Sequence, residues 1–573
     1  MTKPAFLLAT LATLAALAAA ANADTLPSPL VPDGPARMGA QALTLDPARY
    51  EALRAFNLIT LADFPMPDGS RATLDLRRIH VFTDDARVVF ASHAGEVEQP
   101  LPDAQFFAGS IAGADQSRVF LALSPLATNG VFSLDGRTLI LSSGPAGNGP
   151  ILVYDTHAPI AAGITLANPL CDGALHAPGD APAEPVGPYA DRTGVCRIHR
   201  MAIDTDTEFT TVRFGGNDAA STVYAATIMA AMTEIYQRDV NIAIQVPFLR
   251  VWTTPSPYDA PNTGEQLTQF RTYWQNNMQS VSRTSAHLFS GRALGGGVAW
   301  LSQVCTSYAY AVSANINGFF PYPLLNNHPQ NWDIMVTAHE AGHNYGTGHT
   351  HDPNHFDPPI DGCGNAYLNP PLPQDCSTAQ AGQGTIMSYC HICPGGMSNL
   401  RMELGPRPAA AVRAYLDSRP SCGIVPTITI TQQPSFAGAC PGNAFTLAVA
   451  ASGNTTRTFQ WRRNGSPIPG ATASTLAFSP ITINDLATYD CVIASGCLSV
   501  TTEPASLSFA GCPCNPDFNA DGNVDQDDLA CLAQLIGGDP SCSSLDPDFN
   551  ADGNVDQDDL DALAQVVAGG PCP

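Results

Sequence analysis

The chain has 573 residues, of which 45% are hydrophobic and 16 are cysteine, and its formal net charge is -25. This length exceeds what one hydrophobic core accommodates, and the composition excludes a disordered chain, so we expect several folded units. Residues 514–573 contain thirteen aspartates and no lysine, arginine or glutamate. That charge balance excludes nucleic acid and anionic lipid as partners and favours divalent cations.

The N-terminus has the features of an export signal. Lys3 precedes a largely apolar run over residues 5–21, and residues 21–23 (Ala-Asn-Ala) supply the small-residue pattern of a cleavage site. These features predict a signal peptide over residues 1–23. An uncleaved membrane anchor is the alternative, but the run is short and no later stretch is apolar enough to span a bilayer. We therefore expect a secreted protein, or one associated with the cell surface, whose cysteines are mostly oxidised.

The next segment, residues 24–193, is predicted to be mainly β. Short β-like runs such as 118–123 alternate with Gly/Asp turns such as 134–136, and a Pro/Ala/Gly-rich connector follows at 176–188. From residue 194 the pattern changes to an α/β domain that extends to about residue 424. Its predicted helices cover 221–236 and 332–345, and its predicted strands cover 242–252, 297–301 and 310–315.

A metal-binding motif lies at the end of the second predicted helix. His339 and His343 are four residues apart, so their imidazoles project from one face of a helix and converge on one ion. Glu340 is placed to take a proton from a zinc-bound water. Gly346 lets the helix end and turn back, which brings His349 in as the third ligand and leaves the fourth position open for catalysis. A purely structural histidine cluster is the alternative.

A methionine downstream makes the motif more specific. Met387 lies in the segment 385–389 (Thr-Ile-Met-Ser-Tyr), which together with the extended histidine motif resembles the metzincin peptidases. Within that group the chain is similar to the reprolysin or adamalysin type, which includes the ADAM proteases. The resemblance covers residues 195–422 and is carried also by 235–252, 294–300 and 384–390. It implies a zinc metalloendopeptidase in which Met387 forms a hydrophobic floor and residues 297–301 bind the substrate backbone.

The chain departs from the family pattern near the third histidine. The family commonly has Asp directly after this residue, whereas this chain has Thr-His-Asp at 350–352. His351 and His355 are therefore rival third ligands, although the spacing favours His349. Tyr389 follows Met387 by two residues, as in relatives where that tyrosine approaches zinc, but packing in the core is the simpler interpretation.

The resemblance also implies latency. Residues 106–136 resemble the propeptide that precedes reprolysin-type domains, and such propeptides often end in a cysteine whose thiolate occupies the open zinc position. Cys171 is the candidate for this switch, because thiolate is a good soft ligand for zinc. An ordinary disulfide with Cys196 is the alternative.

Cysteines of the α/β domain are expected to form bridges. By resemblance, Cys305 and Cys422 tie the upper half of the domain to its C-terminus. Four further cysteines are expected to form two bridges around Met387: Cys363, Cys376, Cys390 and Cys393. The last two form a CxxC pair that suggests a second zinc site as the alternative, but disulfides are expected in an exported chain.

Residues 425–511 are predicted to form an all-β sandwich. Trp461 lies in a β-like run, and Tyr489 precedes Cys491 by two residues, which resembles the core tryptophan and corner tyrosine of an immunoglobulin-like domain. Val449 stands where the first cysteine of the usual inter-sheet bridge is expected, so that bridge is predicted to be missing.

Residues 512–573 contain an exact repeat, since residues 517–528 recur at 548–559. Each loop places oxygen-bearing side chains at the spacing of an EF-hand calcium loop, with glycine at the sixth position and a short helix after it. The candidate calcium ligands are Asp517, Asn519, Asp521, Asn523, Asp525 and Asp528, and in the second loop Asp548, Asn550, Asp552, Asn554, Asp556 and Asp559. A solvated acidic turn is the alternative. The pair resembles dockerin modules, which implies a cohesin-like or cell-surface partner.

The sequence thus predicts a multidomain exported precursor with a signal peptide (1–23), a mainly β propeptide (24–193) and a metzincin peptidase domain (194–424). An immunoglobulin-like domain (425–511) and a small α-helical pair of dockerin-like calcium repeats (512–573) follow. The expected activity is zinc-dependent hydrolysis of peptide bonds in protein or peptide substrates. A surface adhesion or scaffold protein with an inactive peptidase-like domain is the main alternative, and a non-proteolytic zinc hydrolase is a third.

Overall fold

The computed structural model describes residues 25–114, 116–147, 149–156, 194–322, 331–378, 384–437, 439, 443–508, 515–543, 545–570 and 573. The predicted signal peptide, the connector at 176–188 and Cys171 lie outside these residues. The chain forms two compact units, one made of Thr25–Arg54 and Leu58–Pro426, the other of Thr427–Pro573 with Ala55–Asn57. In the part of the chain that the structure describes, no helix has the length and apolar character needed to cross a membrane.

The first unit begins with a ten-stranded sheet. Its strands are β1 (Thr25–Pro27), β2 (Leu30–Pro32), β3 (Ala40–Leu45), β4 (Leu58–Pro65), β5 (Arg71–Arg78), β8 (Gln105–Ile111), β9 (Arg118–Leu123), β10 (Asn129–Leu134), β11 (Arg137–Ser142) and β12 (Ile151–Asp155). The order is β1-β4-β5-β8-β9-β10-β11-β12-β3-β2, antiparallel except for β1 on β4. Helix α1 (Pro47–Ala52) follows β3. The predicted turn at 134–136 closes the β10–β11 hairpin, because Asp135 and Gly136 both adopt the positive φ that a tight hairpin requires.

The second sheet has seven strands and carries the predicted metal site. Its strands are β6 (Phe82–Ser92), β7 (Gly95–Gln99), β13 (Arg197–Thr205), β14 (Ile242–Trp252), β15 (Ser285–Phe289), β16 (Gly297–Ala299) and β17 (Tyr310–Ser313), in the order β16-β17-β15-β13-β14-β6-β7. The edge strands β16 and β7 are antiparallel to their neighbours and the inner pairs are parallel. The helices of this region are α2 (Thr207–Thr211), α3 (Asp218–Val240), α4 (Thr263–Asn277), α5 (Trp332–Asn344) and α6 (Pro406–Asp417).

Helices cover both faces of the seven-stranded sheet. Helix α4 packs Phe270 and Trp274 against Phe248 and Leu288 on one face. Helices α3 and α5 lie on the other face, in a core shared with the ten-stranded sheet. Helix α3 contacts strand β14 on one side and strands β8 and β9 on the other. It is therefore buried nearly all round, which explains why its apolar residues do not form a single stripe.

The second unit contains small β-sheets and two helices. Its strands are β18 (Thr429–Gln432), β19 (Phe445–Ala448), β20 (Ala450–Ser452), β21 (Thr458–Arg463), β22 (Ser466–Pro467), β23 (Thr475–Phe478), β24 (Thr488–Ser495), β25 (Leu498–Thr501) and β26 (Ala505–Ser506). Trp461 and Tyr489 are buried in one core, and Cys491 is a buried free thiol. Helices α7 (Gln526–Ile536) and α8 (Gln557–Val567) follow, and the rings of Phe518 and Phe549 lie 5.7 Å apart between the two repeats.

Candidate metal centre and active site

The helix that carries the metal motif is anchored at both ends. In its first turn the buried carboxylate of Asp333 accepts hydrogen bonds from the backbone N–H groups of Asn317 and Gly318 and from the hydroxyl of Tyr224. Burial raises the pKa of Asp333 to about 6, so the carboxylate is ionised at neutral pH. Helix α5 ends at Asn344, and two residues later Gly346 adopts φ +93°. A Cβ atom at Gly346 would lie 2.6 Å from the ring of Tyr415, so only glycine fits this turn.

The turn brings three imidazoles together. The Nε2 atom of His339 lies 3.1 Å from that of His343 and 3.1 Å from that of His349, and the remaining pair is 3.2 Å apart. His339 and His343 are fully buried, and burial lowers the pKa of His339 to about 4 and that of His343 well below its usual range. The same cause holds the pKa of His349 well below its usual range. All three rings are therefore neutral near pH 7 and have a lone pair available.

The outer nitrogens of the imidazoles determine where those lone pairs point. Nδ1 of His339 lies 2.7 Å from the carbonyl oxygen of Ile386, and Nδ1 of His343 lies 2.9 Å from that of Thr347. A carbonyl oxygen only accepts, so both Nδ1 atoms carry the proton and both Nε2 atoms are acceptors. Two acceptors 3.1 Å apart repel each other unless a cation lies between them.

The donor set fits zinc. Zn–N bonds of about 2.0–2.1 Å in a tetrahedral arrangement place neighbouring nitrogens about 3.3 Å apart. The three Nε2 separations of 3.1–3.2 Å are close to this value. Among the described residues, three neutral imidazoles converge and no fourth His, Cys, Asp or Glu joins them, which is the number of protein ligands typical of a catalytic zinc and not of a closed structural site.

Glu340 lies beside the three histidines and next to the edge strand. Its side chain is buried, and a Cβ atom placed on Gly297 would lie 2.5 Å from its Cγ and Oε1 atoms. The carboxyl group therefore lies against the backbone of strand β16 at Gly297. This places a candidate base between the histidine-bearing helix and an extended strand.

The segment around Met387 supports the histidines from below. Met387 is buried, and its Sδ atom would lie 2.6 Å from a Cβ atom on Gly342, so it packs directly against helix α5. The carbonyl of Ile386 accepts from His339, and the carbonyl of Met387 accepts from the backbone N–H of Thr350 at 3.1 Å. The backbone of this turn thus orients one predicted ligand and fixes the chain just after another.

The rival third ligands occupy other positions. The His351 ring stacks on His349 with centroids 5.3 Å apart and an interplanar angle of 9°, so its nitrogens do not join the three that converge. His355 lies 3.7 Å from the carboxylate of Asp352. The Tyr389 ring is buried and packs 4.6 Å from His349 and 4.9 Å from His351. Of the predicted ligands, the structure brings together His339, His343 and His349.

The disulfides of this region follow the predicted pattern. The bridges are Cys305–Cys422, Cys363–Cys390 and Cys376–Cys393. Because Cys390 and Cys393 are both oxidised, the alternative of a second zinc site at this CxxC pair is wrong. Cys196 is also disulfide-bonded. Cys171 lies outside the described residues, so its role stays a prediction.

Sequence reasoning missed one residue that joins the helix to the edge strand. The buried side chain of Asn344 donates through Nδ2 to the carbonyl oxygens of Trp300 at 2.7 Å and Tyr310 at 3.0 Å. The backbone N–H of Ser302 donates to the backbone carbonyl oxygen of His343 at 2.8 Å. These contacts fix the edge strand relative to the histidines. The only sequence signal was the position of Asn344 directly after a metal ligand.

The two acidic loops of the second unit have the same internal structure. The carboxylates of Asp528 and Asp559 are buried, and each accepts from two backbone N–H groups of its own loop. Gly522 and Gly553, at the sixth positions, have φ of +88° and +92°. The remaining candidate ligands are carboxylates and amides around the same turn, so only oxygen atoms are offered to a cation.

Comparison with known proteins gives one family match. Residues 195–400 match the family model described as metallo-peptidase family M12. No curated protein sequence matches the chain significantly. Among solved structures, metalloproteinase-II from Bacteroides fragilis aligns with a TM-score of 0.31 and 12% identity, over 52% of this chain and 83% of that one. A chaperone–substrate complex aligns with a TM-score of 0.21 and 14% identity, over 28% and 25% of the two chains. The Sidekick-1 immunoglobulin domains 1–5 align with a TM-score of 0.12 and 22% identity, over 14% of this chain and 19% of that one.

These structural likenesses are too slight to establish a fold. The family match, which rests on sequence, shows that residues 195–400 are similar to metallopeptidases of family M12 and supports zinc metalloprotease activity. The three candidate zinc ligands, His339, His343 and His349, lie within the matched residues.

Proposed function

We propose that the chain is a secreted zinc-dependent metalloendopeptidase that is made as a latent precursor and hydrolyses peptide bonds in proteins. The observation that carries this proposal is the convergence of three neutral imidazoles, 3.1–3.2 Å apart at Nε2, beside a buried glutamate that lies against an edge strand. Zinc held by these histidines would polarise the scissile carbonyl and lower the pKa of a bound water.

The residues of the chain divide the remaining work. His339, His343 and His349 would hold the ion, and the carbonyls that accept from the outer nitrogens of His339 and His343 keep those two rings oriented. Glu340 accepts a proton from the attacking water and delivers it to the leaving amine. Strand β16 is the last strand at its end of the described sheet, so its outer edge is the place where an extended substrate would pair. Main-chain pairing favours peptides without strict side-chain requirements.

Export and latency complete this proposal. The apolar N-terminus and the oxidised cysteines support a secreted protein. Latency rests on the resemblance of residues 106–136 to reprolysin-type propeptides, with Cys171 as the candidate thiolate. The main rival, an adhesion or scaffold protein with an inactive domain, is disfavoured because the base Glu340 and all three histidines are present together.

We also propose that the C-terminal repeats bind two calcium ions. The identical hydrogen-bond pattern in the two loops favours this function over a solvated acidic turn. Residues 425–511 are proposed to be immunoglobulin-like, supported by the bond from the Tyr489 hydroxyl to the carbonyl of Asp485 at 2.7 Å. The two C-terminal modules would attach the enzyme to a cohesin-like or cell-surface partner.

The test uses the full chain with a site for a sequence-specific protease in the predicted connector at 176–188. After cutting, we expect cleavage of casein, inhibition by a zinc chelator and recovery on adding zinc. Glu340→Gln is expected to abolish cleavage while one zinc per chain remains bound. Glu265→Gln, at an exposed position in the first turn of α4, is the matched control and keeps full activity. A folded, cut, zinc-loaded chain that leaves casein intact would support the adhesion or scaffold alternative.

A further inference from the structure

The seven-stranded sheet includes two strands from the predicted propeptide. Strand β6 pairs in parallel with β14 over the register Val246↔Phe82 to Trp252↔Ala91. Strand β7 then pairs with β6 and forms the outer edge. Residues 82–99 are therefore a structural part of the sheet on which the metal site is built, although they precede the connector at 176–188.

The β6–β7 hairpin contributes side chains to both faces of that sheet. Val88 is fully buried in the core that contains helices α3 and α5. Its neighbour Val89 is fully buried on the opposite face, in the core that contains Trp252 and Trp274. Removal of the hairpin would expose apolar surface in two cores at once, which is unfavourable in water.

Buried and partly buried ion pairs also join the hairpin to strands β14 and β13. Arg250 is fully buried and binds Asp204 from within the peptidase region and Glu96 from the hairpin, the latter at 2.9 Å. Arg200 makes a bidentate pair with Asp85 of strand β6, at 3.0 and 2.8 Å. Loss of the hairpin would remove one of the two carboxylates of a buried guanidinium, which is unfavourable in a low-dielectric core.

The ten-stranded sheet covers a second surface of the peptidase region. It packs on the side of helix α3 that faces away from strand β14. At its rim, Ser142 donates through Oγ to the carbonyl of Phe320 at 3.0 Å, and Tyr154 donates to that of Pro321 at 2.9 Å. Without this sheet, one side of a helix that is almost wholly buried would face water.

We propose that residues 25–156 are a permanent subunit of the peptidase, which its packing alone keeps bound after the connector is cut. The segment then acts as part of the scaffold that holds the catalytic sheet, and maturation changes the connector without releasing the N-terminal segment. The inference depends on the proposed function only for the occurrence of a cut. Its test supplies that cut from outside and reads association instead of activity.

The experiment uses the full chain with Glu340→Gln, which prevents self-cleavage, with Cys171→Ser, which removes any disulfide from Cys171 across the cut, and with the protease site in the connector at 176–188. After complete cutting, shown by two bands under denaturing conditions, the fragments are separated by size-exclusion chromatography in buffer. We expect both fragments in one peak at the mass of the uncut chain. Elution of the N-terminal fragment alone, while the remaining fragment keeps its circular dichroism spectrum, would overturn the proposal in favour of a removable propeptide.

A pair of variants tests the hairpin itself. Glu96→Ala removes the carboxylate that reaches Arg250, whereas Glu98→Ala removes one that pairs only within the hairpin, with Arg87 at 3.0 Å. Both positions are partly exposed, so both variants are expected to fold. We expect the cut Glu96→Ala fragments to separate at a lower urea concentration than the unaltered protein, and the cut Glu98→Ala fragments to separate at the same concentration. Equal separation of the two variants would contradict the assigned role of the hairpin.

Discussion

At the residue scale, Gly297 shows how closely the edge strand approaches the candidate base. No side chain separates strand β16 from Glu340, because a Cβ atom at this position would overlap both the Cγ and Oε1 atoms of the glutamate. The close approach brings the backbone that would pair with substrate next to the carboxylate that would move the proton. Distances of this kind matter because a misplacement of about 1 Å costs roughly 100-fold in rate.

Gly297→Ala is therefore expected to reduce the rate of casein cleavage by about 100-fold or more, because the methyl group displaces the Glu340 carboxylate. The zinc content is expected to stay at one per chain, since no histidine is moved. Gly264→Ala is the matched control, because a Cβ atom there meets nothing closer than 3.6 Å. The measurement is cleavage rate together with zinc content. An alanine variant with unchanged activity would show that Glu340 is not held against the strand.

Asn344 acts at the same scale through its amide. Asn344→Ala leaves the carbonyls of Trp300 and Tyr310 without this donor, at a cost of about 1–3 kcal/mol for unsatisfied buried groups. We expect a lower melting temperature and a raised KM, because the edge strand is no longer fixed to the helix. Asn277→Ala removes an exposed amide that bonds only within helix α4 and serves as the control. A normal KM in the Asn344 variant would assign this residue to stability alone.

At the element scale, sequence pattern predicted the local structure well and the long-range pairing poorly. The apolar run 242–252 is strand β14, and the predicted helix 332–345 is α5 with a difference of one residue at its end. The three histidines that the spacing predicted to converge do lie together: helix geometry places His339 and His343 on one face, and the turn at Gly346 brings His349 to them. The pairing of β6 with β14 left no signal, because parallel partners far apart in sequence share no periodicity. The orienting carbonyl of Ile386 was equally invisible, since any residue has a carbonyl.

Strands β15 and β17 provide a pH-dependent element. His287 of β15 is fully buried, and its Nε2 atom lies 2.8 Å from the hydroxyl of Ser313 in β17. Burial lowers the pKa of His287 to about 3. The unfolded chain binds this proton near pH 6.5 and the folded chain near pH 3. The stability that His287 contributes is therefore complete above pH 6.5 and is lost as the pH falls toward 3.

His287→Asn is expected to reduce the loss of unfolding free energy between pH 6 and pH 4 by about 1.4 kcal/mol per pH unit, because one proton fewer is taken up on unfolding. Asparagine keeps a polar group near Ser313 but does not titrate. The measurement is urea unfolding followed by tryptophan fluorescence at a series of pH values, with His93→Asn, at an exposed position, as the control. The prediction fails if the variant and the unaltered protein lose stability with the same slope.

At the scale of the whole molecule, charge is concentrated at one end of the chain. Residues 514–573 contain thirteen aspartates and no lysine or arginine, and like charges at this density repel one another. The folded repeats bring several of these carboxylates into two turns, and the apolar contact between Phe518 and Phe549 joins the turns. Bound divalent cations would offset the repulsion, so folding of this region is expected to depend on them.

The chain is accordingly expected to bind two calcium ions, measured by titration calorimetry after calcium has been removed. Asp517→Asn with Asp548→Asn changes the first ligand of each loop and is expected to abolish both sites, because calcium affinity follows the number of charged oxygen ligands. Asp539→Asn is the matched control, since Asp539 lies between the two loops, where its carboxylate accepts from the backbone N–H of Ser541. It keeps two sites. Equal heats of calcium binding in the double variant and the unaltered protein would assign the repeats to a solvated acidic surface. The proposed zinc-dependent activity is assigned to the other unit, so we expect it to be the same with either result.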